Sequence, residues 1–423
     1  MKSASGWAGS LLLLMAVQGA PAIEMEEAAV FSENLTGDWG GLRSALAARG
    51  VEIGLDHTAD LMAIVEGGLD RHRSYSGLLE PTLSVNLERL LGWRGGRLFV
   101  HGITPYGGRD PIDSAGSIHA PSNLATGVDT FKLYEAWFEQ RFFDDRLAIL
   151  AGLYAADSEF DVKETAGIFM NGGFGTGIEF SETGLNGPCI YPTSCLGVRV
   201  RVQPTQEHYL QVAVLDGVAG DPKQPHGTQV HLGGNDGALI LGEAGIQHDA
   251  DEHKRFLHAA VGAWYYTARF DHLRDVDAEG NPRRERGTQG AYALIEGELF
   301  REPDQSVQGL SGFLRLGLAD KKVNQLRWSA SGGLVYTGLL PGRDEDVTGF
   351  GISLASNSGT FKDAQRAAGE PVTSREVAYE LSHWLPLTSW MSLQFNVQYI
   401  RHPSTDPGLH SARIIGLRHK ISF

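Results

Sequence analysis

The last twelve residues of the chain, ARIIGLRHKISF, alternate between apolar and polar side chains up to the final residue, Phe423. Ile415, Leu417 and Ile421 would project from one face of a β-strand, whereas the residues between them include glycine, arginine and lysine. A chain end is usually polar and frayed. A strand that continues to the terminus therefore predicts a sheet in which the last strand has a partner on both edges.

The same period-two alternation recurs along most of the chain. VEIGLDHTADL at residues 51–61, LGVRVRVQ at 196–203 and MSLQFNVQYI at 391–400 each separate an apolar face from a polar face. Helical periodicity is nearly absent, and one short helix is expected, in DWGGLRSALAARG. A soluble β-sandwich with its apolar faces inward would give the same alternation, so the spacing of the strands has to decide between two architectures.

The spacing indicates a membrane barrel. Short connections follow the even-numbered strands, and long ones follow most of the odd-numbered strands. Turns at one end and long loops at the other are typical of outer-membrane β-barrels with an even number of strands. We count sixteen strands, near residues 51–61, 81–89, 96–104, 131–140, 146–154, 196–203, 208–215, 238–247, 256–266, 290–299, 311–319, 328–339, 348–356, 375–384, 391–400 and 412–423.

The predicted fold is therefore all-β: a single closed antiparallel transmembrane β-barrel over residues 51–423, spanning a lipid bilayer. Closure explains the last strand, because pairing with the first strand leaves no edge exposed to lipid. Residues 62–80, 105–130, 155–195, 216–237 and 357–374 are the expected long loops.

The N-terminal segment has a different character. Residues 1–22, MKSASGWAGSLLLLMAVQGAPA, combine a charged start, a short apolar core and a small-residue end, as in a cleaved signal peptide. The alternative is a membrane anchor, for which the apolar run is short. We expect residues 23–50 to form a periplasmic segment with the short helix. The formal net charge of −15 argues against nucleic acid as a partner.

The two cysteines, Cys189 and Cys195, are separated by five residues in CIYPTSC. In an exported protein such a close pair predicts a disulfide that closes a small loop. The alternative is a metal site, which would need more ligands than this stretch supplies. We expect neither a metal nor a cofactor.

The polar face of each strand would line a water-filled lumen, since the apolar face meets lipid. For any one charge, the alternative is a solvated wall residue or half of a structural ion pair. The expected lumen set is Asp56, Glu88, Arg97, Glu135, Glu139, Arg199, Arg201, Glu243, Gln394, Asn396, Gln398 and Arg418.

One strand, FKLYEAWFEQ, points to a ligand. Tyr134 and Phe138 would face lipid, which turns Glu135, Trp137 and Glu139 inward. An inward Trp beside carboxylates suits a sugar, because a sugar ring can stack on the indole while carboxylates accept its hydroxyl hydrogen bonds. The alternative places Trp137 at the membrane interface as a girdle aromatic.

The longest loop, 155–195, carries the segment DSEFDVKETAGIFMNGGFG, with acids, aromatics and a glycine-rich stretch that suggests flexibility. Long loops in compact architectures are usually functional or disordered, and the apolar residues here argue against disorder. Folded inward, this loop would narrow the channel.

Four segments resemble the carbohydrate-selective porins of Gram-negative outer membranes, the OprB family: LTGDWGGLRSALAARGVEIG, FMNGGFG, GVRVRVQPTQEHYLQVAVLDGVAGDP and YELSHWLPLTSWMSLQFNVQYIRHP. The resemblance implies a sixteen-stranded outer-membrane barrel that passes monosaccharides such as glucose, with Asp161, Asn171 and Phe174 at the constriction. The terminal aromatic also resembles the signal read by the barrel-assembly machinery, an expected partner.

The sequence has no nucleophile elbow, phosphate-binding loop or histidine-rich metal motif, so we expect no enzymatic activity. Three alternatives stay open: a general porin or a porin for another solute, an outer-membrane hydrolase with a Ser–His pair on the barrel, and a secreted sugar-binding β-sandwich. The sequence selects no particular hexose and does not distinguish a monomer from a homo-oligomer.

Export gives the first testable prediction. Protein recovered from the outer-membrane fraction should begin near Ile23, because cleavage should follow the small residues Ala20–Ala22. N-terminal sequencing checks this. An intact Met1 on the membrane-inserted protein would contradict the signal-peptide interpretation.

Overall fold

The computed structural model describes residues 33–230, 233, 236–250, 254–303 and 308–423. The expected signal peptide, residues 1–22, and the first part of the expected periplasmic segment lie outside the described residues.

Sixteen antiparallel strands form one closed barrel in which each strand pairs with its neighbours in sequence and β1 pairs with β16. This confirms the predicted fold class and strand number. The strands are β1 (Val51–Glu66), β2 (Arg73–Asn86), β3 (Gly96–Gly107), β4 (Lys132–Phe142), β5 (Leu147–Tyr154), β6 (Cys195–Val202), β7 (His208–Asp216), β8 (Ala238–His248), β9 (Leu257–Val276), β10 (Pro282–Arg301), β11 (Gly309–Ala319), β12 (Leu326–Thr337), β13 (Val347–Asn357), β14 (Arg375–Thr388), β15 (Met391–Arg401) and β16 (Ala412–Ser422).

The helices are short and lie in the connections and the N-terminal segment. They are α1 (Leu42–Ala48), α2 (Leu87–Leu91), α3 (Pro111–Ala115), α4 (Ile178–Ser181) and α5 (Gly359–Ala368), with 3₁₀ turns at Trp39–Gly41, Ala156–Ser158, Thr165–Ile168, Gly172–Phe174 and Pro403–Thr405. Among the described residues, none of these helices is long and apolar enough to span a membrane.

The seam between the first and last strands is reinforced by the N-terminal segment. Phe423 donates its backbone N–H to Leu55 O at 2.9 Å, so the ladder extends to the last residue. Leu35 donates to Ser422 O at 2.8 Å, and the Arg43 guanidinium donates to Phe423 O at 2.7 Å. The chain end is therefore bonded to the first strand and to the segment before it, which explains why an alternating strand can continue to the terminus.

The alternation sorts side chains as predicted over most strands. On β6, Val198 and Val200 are 46% and 38% exposed toward lipid, whereas Arg199 between them is 3% exposed and faces inward. Such alternation is the pattern of a membrane barrel whose interior is polar.

Two expected orientations are wrong. Glu88 belongs to the turn helix α2 and is largely exposed beside Arg94, because the β2 strand ends at Asn86 and its side chain caps the helix. Tyr134 is buried and does not face lipid, since a β-bulge between β3 and β4 leaves it as the extra residue between Leu133 and Glu135.

One expected loop is shorter than predicted because the strands beside it are longer. The expected loop 62–80 shrinks to 67–72, since β2 begins at Arg73. Strands β9 and β10 each have 20 residues and pair with each other beyond the point where β8 and β11 end. The other four expected loops are long, especially 155–194.

The closing seam is testable. Deletion of residues 412–423 should abolish most of the folded barrel, because β1 and β15 would each present an unpaired edge to lipid. Phe423→Ala should lower the assembled amount in the same direction. Heat-modifiable migration on unboiled gels and the outer-membrane level measure both effects.

The matched control is Arg43→Ala, which removes one contact to the chain end and leaves every strand pair in place. It should assemble far better than the deletion. Normal membrane levels and normal heat-modifiability of the deletion variant would contradict the closure argument.

Candidate functional site in the barrel lumen

The long loop 155–194 is held against the lumen wall through its own backbone. Glu296 on β10 accepts the backbone N–H of Glu164 at 3.0 Å and that of Thr165 at 2.7 Å. Three other wall carboxylates do the same: Glu135 on β4 binds Ala155 at 3.1 Å, Glu243 on β8 binds Asp161 at 3.0 Å, and Glu380 on β14 binds Met170 and Asn171 at 2.7 and 2.9 Å. The loop therefore follows the wall from β4 to β14.

Asp161 is the most heavily bonded side chain of the loop. It accepts from Arg315 on β11 at 3.1 Å, from the Lys163 ammonium at 3.0 Å and from the backbone of Gly177 at 2.9 Å. Burial alone would raise the pKa of Asp161, but the charges of Arg315 and Lys163 outweigh burial and hold that pKa below its usual value. Asp161 is 5% exposed, so it anchors the loop and does not project into the open lumen.

Arg315 also binds a second point of the same loop, nearer its C-terminal end. Its guanidinium forms two hydrogen bonds with Glu179 in α4, at 2.6 and 2.7 Å, and is completely buried. A Cβ at Gly177 would overlap this guanidinium, so the glycine allows the loop backbone to lie against it. One arginine thus joins two points of the loop to the wall.

The glycine-rich stretch is packed and has a defined turn. Gly172–Phe174 form a 3₁₀ turn capped by the Asn171 side chain, which accepts the N–H of Gly173 at 2.9 Å. Phe174 is 1% exposed and stacks on Phe169 with the ring centroids 4.4 Å apart. The structure therefore places this stretch in a packed turn: a Cβ at Gly173 would overlap the His119 ring, and Phe174 packs beneath the loop.

Amide side chains of β15 hold the same turn. Gln398 accepts from Asn171 Nδ2 at 2.9 Å and donates to Pro121 O at 2.7 Å, in the inward loop between β3 and β4. Asn396 donates to Glu380 at 2.6 Å, and Gln394 donates to the carbonyl of Ile168. The structure brings all three of these predicted lumen residues to one patch of wall. Gln394 and Gln398 bind loop residues directly, and Asn396 binds Glu380, which in turn holds the loop.

A second patch of wall, on β3, β4 and β6, keeps side chains that are only partly covered. Trp137 faces inward beside Phe99, with the ring centroids 5.2 Å apart, and is half-buried. Its neighbour on β5 is Gly152, which has no side chain to cover the indole. Arg97 on β3 and Arg201 on β6 are also half-buried on the inner face.

The carboxylates next to Trp137 are already bonded. Glu135 accepts from Ala155 N and from Ser158 Oγ, at 3.1 and 2.9 Å. Glu139 accepts from Arg141 at 2.6 Å and pairs with Arg199. Both carboxylates next to Trp137 are therefore already engaged by groups of the protein.

The arginines of this patch differ in their surroundings. Arg199 is 3% exposed and also binds Glu159 at 2.6 Å, so it is a buried ion-pair partner. Arg201 lies over the ring of Tyr209, 4.3 Å from its centroid, and forms no ion pair with any residue that the structure describes. Arg201 is thus the more accessible cation of the two. The predicted lumen residue Glu243 is buried and accepts hydrogen bonds from Tyr209 and Tyr292, at 3.0 and 2.5 Å.

The end of the loop is fixed by a covalent bond. Cys189 and Cys195 form a disulfide, with their Cα atoms 5.6 Å apart. Because Cys195 is the first residue of β6, the bridge attaches the loop end to the wall. Cys189 and Cys195 are both buried in an apolar cluster with Phe160, Phe180 and Trp264.

A Ser–His–Glu arrangement occurs between the inward loops and the wall. His119 Nε2 lies 3.0 Å from Ser353 Oγ, and Nδ1 lies 2.7 Å from Glu376 Oε1. Ser353 Oγ, however, donates to Gly173 O at 2.9 Å, and both Ser353 and His119 are at most 1% exposed. A substrate carbonyl has no approach to that hydroxyl, so this group ties the loops to the wall and is unsuited to nucleophilic catalysis.

Sequence reasoning missed Glu296, Arg315, Glu376 and Glu380, although a signal was available for Arg315. Arg315 is the only charge in SGFLRLGLA, and Glu296 follows inward-facing Tyr292 and Leu294 on β10. A single charge on the inner face of an otherwise apolar strand indicates a buried partner that the strand itself does not supply.

The loop anchor is testable by replacing Asp161. Asp161→Ala should lower thermal stability and raise single-channel conductance, because it leaves buried Arg315 and Lys163 with one carboxylate fewer. Loss of one partner of a buried ion pair costs about 3–5 kcal/mol. Planar-bilayer conductance and the temperature of heat-modification measure the two effects.

The control is Glu207→Ala, which removes the exposed ion pair to Lys254 and should change neither the conductance nor the thermal stability. Unchanged conductance in the Asp161 variant would refute the anchoring role.

Comparison with known proteins places this geometry in a family. The family model of the carbohydrate-selective porins, the OprB family, matches residues 70–423. Porin B of Pseudomonas aeruginosa is 24% identical over 427 aligned residues, covering 94% of this chain and 93% of that protein. The putative porin QuiX of Acinetobacter baylyi is 21% identical, covering 92% and 93% of the two chains.

Solved structures share the fold. A high-pH structure of Pseudomonas putida OprB superimposes with a TM-score of 0.84 at 22% identity, covering 93% of this chain and 99% of that chain. A low-pH structure of the same protein gives a TM-score of 0.60 at 18% identity. Because the family match extends over most of the barrel, the chain belongs to the carbohydrate-selective porins of the OprB family.

Proposed function

We propose that this outer-membrane porin passes small neutral sugars, such as glucose and related monosaccharides, past a binding patch centred on Trp137. The observation that carries the proposal is the half-buried indole on the lumen face, with partly covered Arg97 and Arg201 on the strands around it. Because the family is a channel family, the protein needs no catalytic group for this role.

The patch supplies the two kinds of contact that a sugar uses. The C–H face of a pyranose packs against an indole, which gives affinity without restricting the sugar to one hydroxyl pattern. Guanidinium N–H groups donate to hydroxyl oxygens, and Arg97 and Arg201 extend from β3 and β6 on either side of β4. Weak, multiple contacts of this kind allow a solute to enter and leave.

The carboxylates acquire a supporting role in this proposal. Glu135 holds the start of the loop, and Glu139 holds Arg141 and Arg199. The sequence-based hypothesis that Glu135 and Glu139 bind hydroxyls directly is therefore replaced by one in which they fix the loop and the arginines. Asp161, Asn171 and Phe174 shape the constriction by holding the loop, since their side chains are buried.

A second candidate solute class follows from charge. Arg97 and Arg201 are half-buried on the lumen face, whereas Glu135 and Glu139 are buried and already bonded, so small anionic polyols, such as sugar acids, would also be attracted to the patch. Replacing the accessible cation separates the classes. Arg201→Gln should mainly reduce anion preference of the pore, while neutral sugars keep most of their affinity.

Trp137→Ala tests the sugar patch. The variant should stay folded and bind glucose about fivefold to tenfold more weakly, because stacking on an aromatic ring contributes on the order of 1 kcal/mol. Sugar-induced block of ion current in planar bilayers measures the affinity. Trp137→Phe should retain part of it.

The control is Trp384→Ala on β14. It removes a partly buried aromatic that packs against the cluster formed by the loop residues Phe169 and Phe174. That variant should lose stability, whereas its sugar affinity should change less than in Trp137→Ala. Equal sugar block in Trp137→Ala and the parent protein would refute the stacking site and leave a pore without this binding patch.

A further inference from the structure

The outer surface of β9 and β10 changes in a regular order along the membrane normal. Their outward-facing cross-strand pairs run from Ala259 with Ile295 to Val261 with Ala293 and then Ala263 with Ala291. Tyr265 then pairs with Gln289, and Tyr265 is 37% exposed. The outer surface of a membrane barrel is apolar at the level of the hydrocarbon and carries aromatic and polar residues at the membrane interface. The cross-strand pairs of this hairpin follow that order.

The next outward-facing cross-strand pair consists of two arginines. Arg269 on β9 is directly opposite Arg286 on β10, just beyond the bulge at Gly287. Both residues are exposed. Like charges directly opposite on a sheet are destabilising. The pair therefore lies one step outside the aromatic level and carries an electrostatic cost in the isolated protein.

The nearby acids do not offset this cost. Asp271 is already paired with Arg284 at 3.2 Å, and Glu285 with Arg283 at 3.6 Å. Within the described part of the chain, neither Arg269 nor Arg286 forms an ion pair through its guanidinium; the backbone carbonyl of Arg269 accepts a hydrogen bond from Arg284. The two cations are therefore available to an anion from outside the chain.

We propose that Arg269 and Arg286 bind the phosphate of a phosphorylated glycolipid, of the lipid A type, in the outer leaflet around the barrel. One phosphate between the two guanidiniums would turn their repulsion into charge-assisted hydrogen bonds, and arginine matches phosphate oxygens in a two-point geometry. The acyl chains of the same lipid would lie against the small side chains of Ala263, Ala291 and Ala293. Basic residues at headgroup level are the usual protein contacts of anionic lipids.

The test compares three probes on the purified full-length protein in mild detergent: diphosphoryl lipid A, its enzymatically dephosphorylated form, and inorganic phosphate. Native mass spectrometry measures the bound lipid and its dissociation constant. The parent protein should prefer the phosphorylated lipid, and Arg269→Ser combined with Arg286→Ser should weaken that binding about tenfold or more. Arg269→Lys combined with Arg286→Lys should retain part of it.

The matched control is Arg274→Ser combined with Arg283→Ser, which removes the same charge from exposed positions of the same hairpin and should bind lipid A like the parent. Heat-modifiability shows that each variant is folded. Equal binding of phosphorylated and dephosphorylated lipid, or unchanged binding in the Arg269 and Arg286 variant, would overturn the proposal. Displacement of lipid A by millimolar inorganic phosphate would also overturn it, because the site would then recognise a free anion.

Discussion

The channel depends on one kind of hydrogen bond: wall carboxylates that accept backbone N–H groups of the inward loop. A loop inside a barrel has no strand partner, and its buried amides are costly when they lack an acceptor. Glu135, Glu243, Glu296 and Glu380 supply acceptors from four different strands. A carboxylate can accept two adjacent N–H groups at once, as Glu296 and Glu380 do, so a single side chain orients a peptide segment as well as binding it.

This arrangement divides the polar wall into two functions. Carboxylates and amides that bind the loop are buried, whereas Trp137, Arg97 and Arg201 are only partly covered and are the side chains that we propose meet a solute. Net charge at the contact surface therefore differs from the charge of the whole chain. The chain carries −15, yet Glu135 and Glu139 beside Trp137 are buried and bonded to loop groups or arginines, whereas the cationic Arg97 and Arg201 are only half-buried.

The sequence predicts the barrel well because alternation and connection length are local properties. All sixteen strands were located, since each apolar face must meet lipid over several consecutive residues. The errors have local causes too. Tyr134 was assigned to the wrong face because a bulge adds one residue, and Glu88 was assigned to the lumen because the β2 strand ends in a capped helix.

The candidate site was predictable only in part. The inward orientation of Trp137 followed from alternation, but the partners of its neighbours did not, because they join residues far apart in sequence. Glu380 and Asn171 are 209 residues apart, and Arg315 and Asp161 are 154 apart. The alternation of side chains within one strand carries no information about a partner so far away in the sequence. What the sequence does show is the isolated Arg315 on the apolar strand β11, and in the structure this arginine is a loop anchor. Arg201 is the better candidate for solute contact, because it is half-buried on the inner face of β6 and forms no ion pair with any residue that the structure describes.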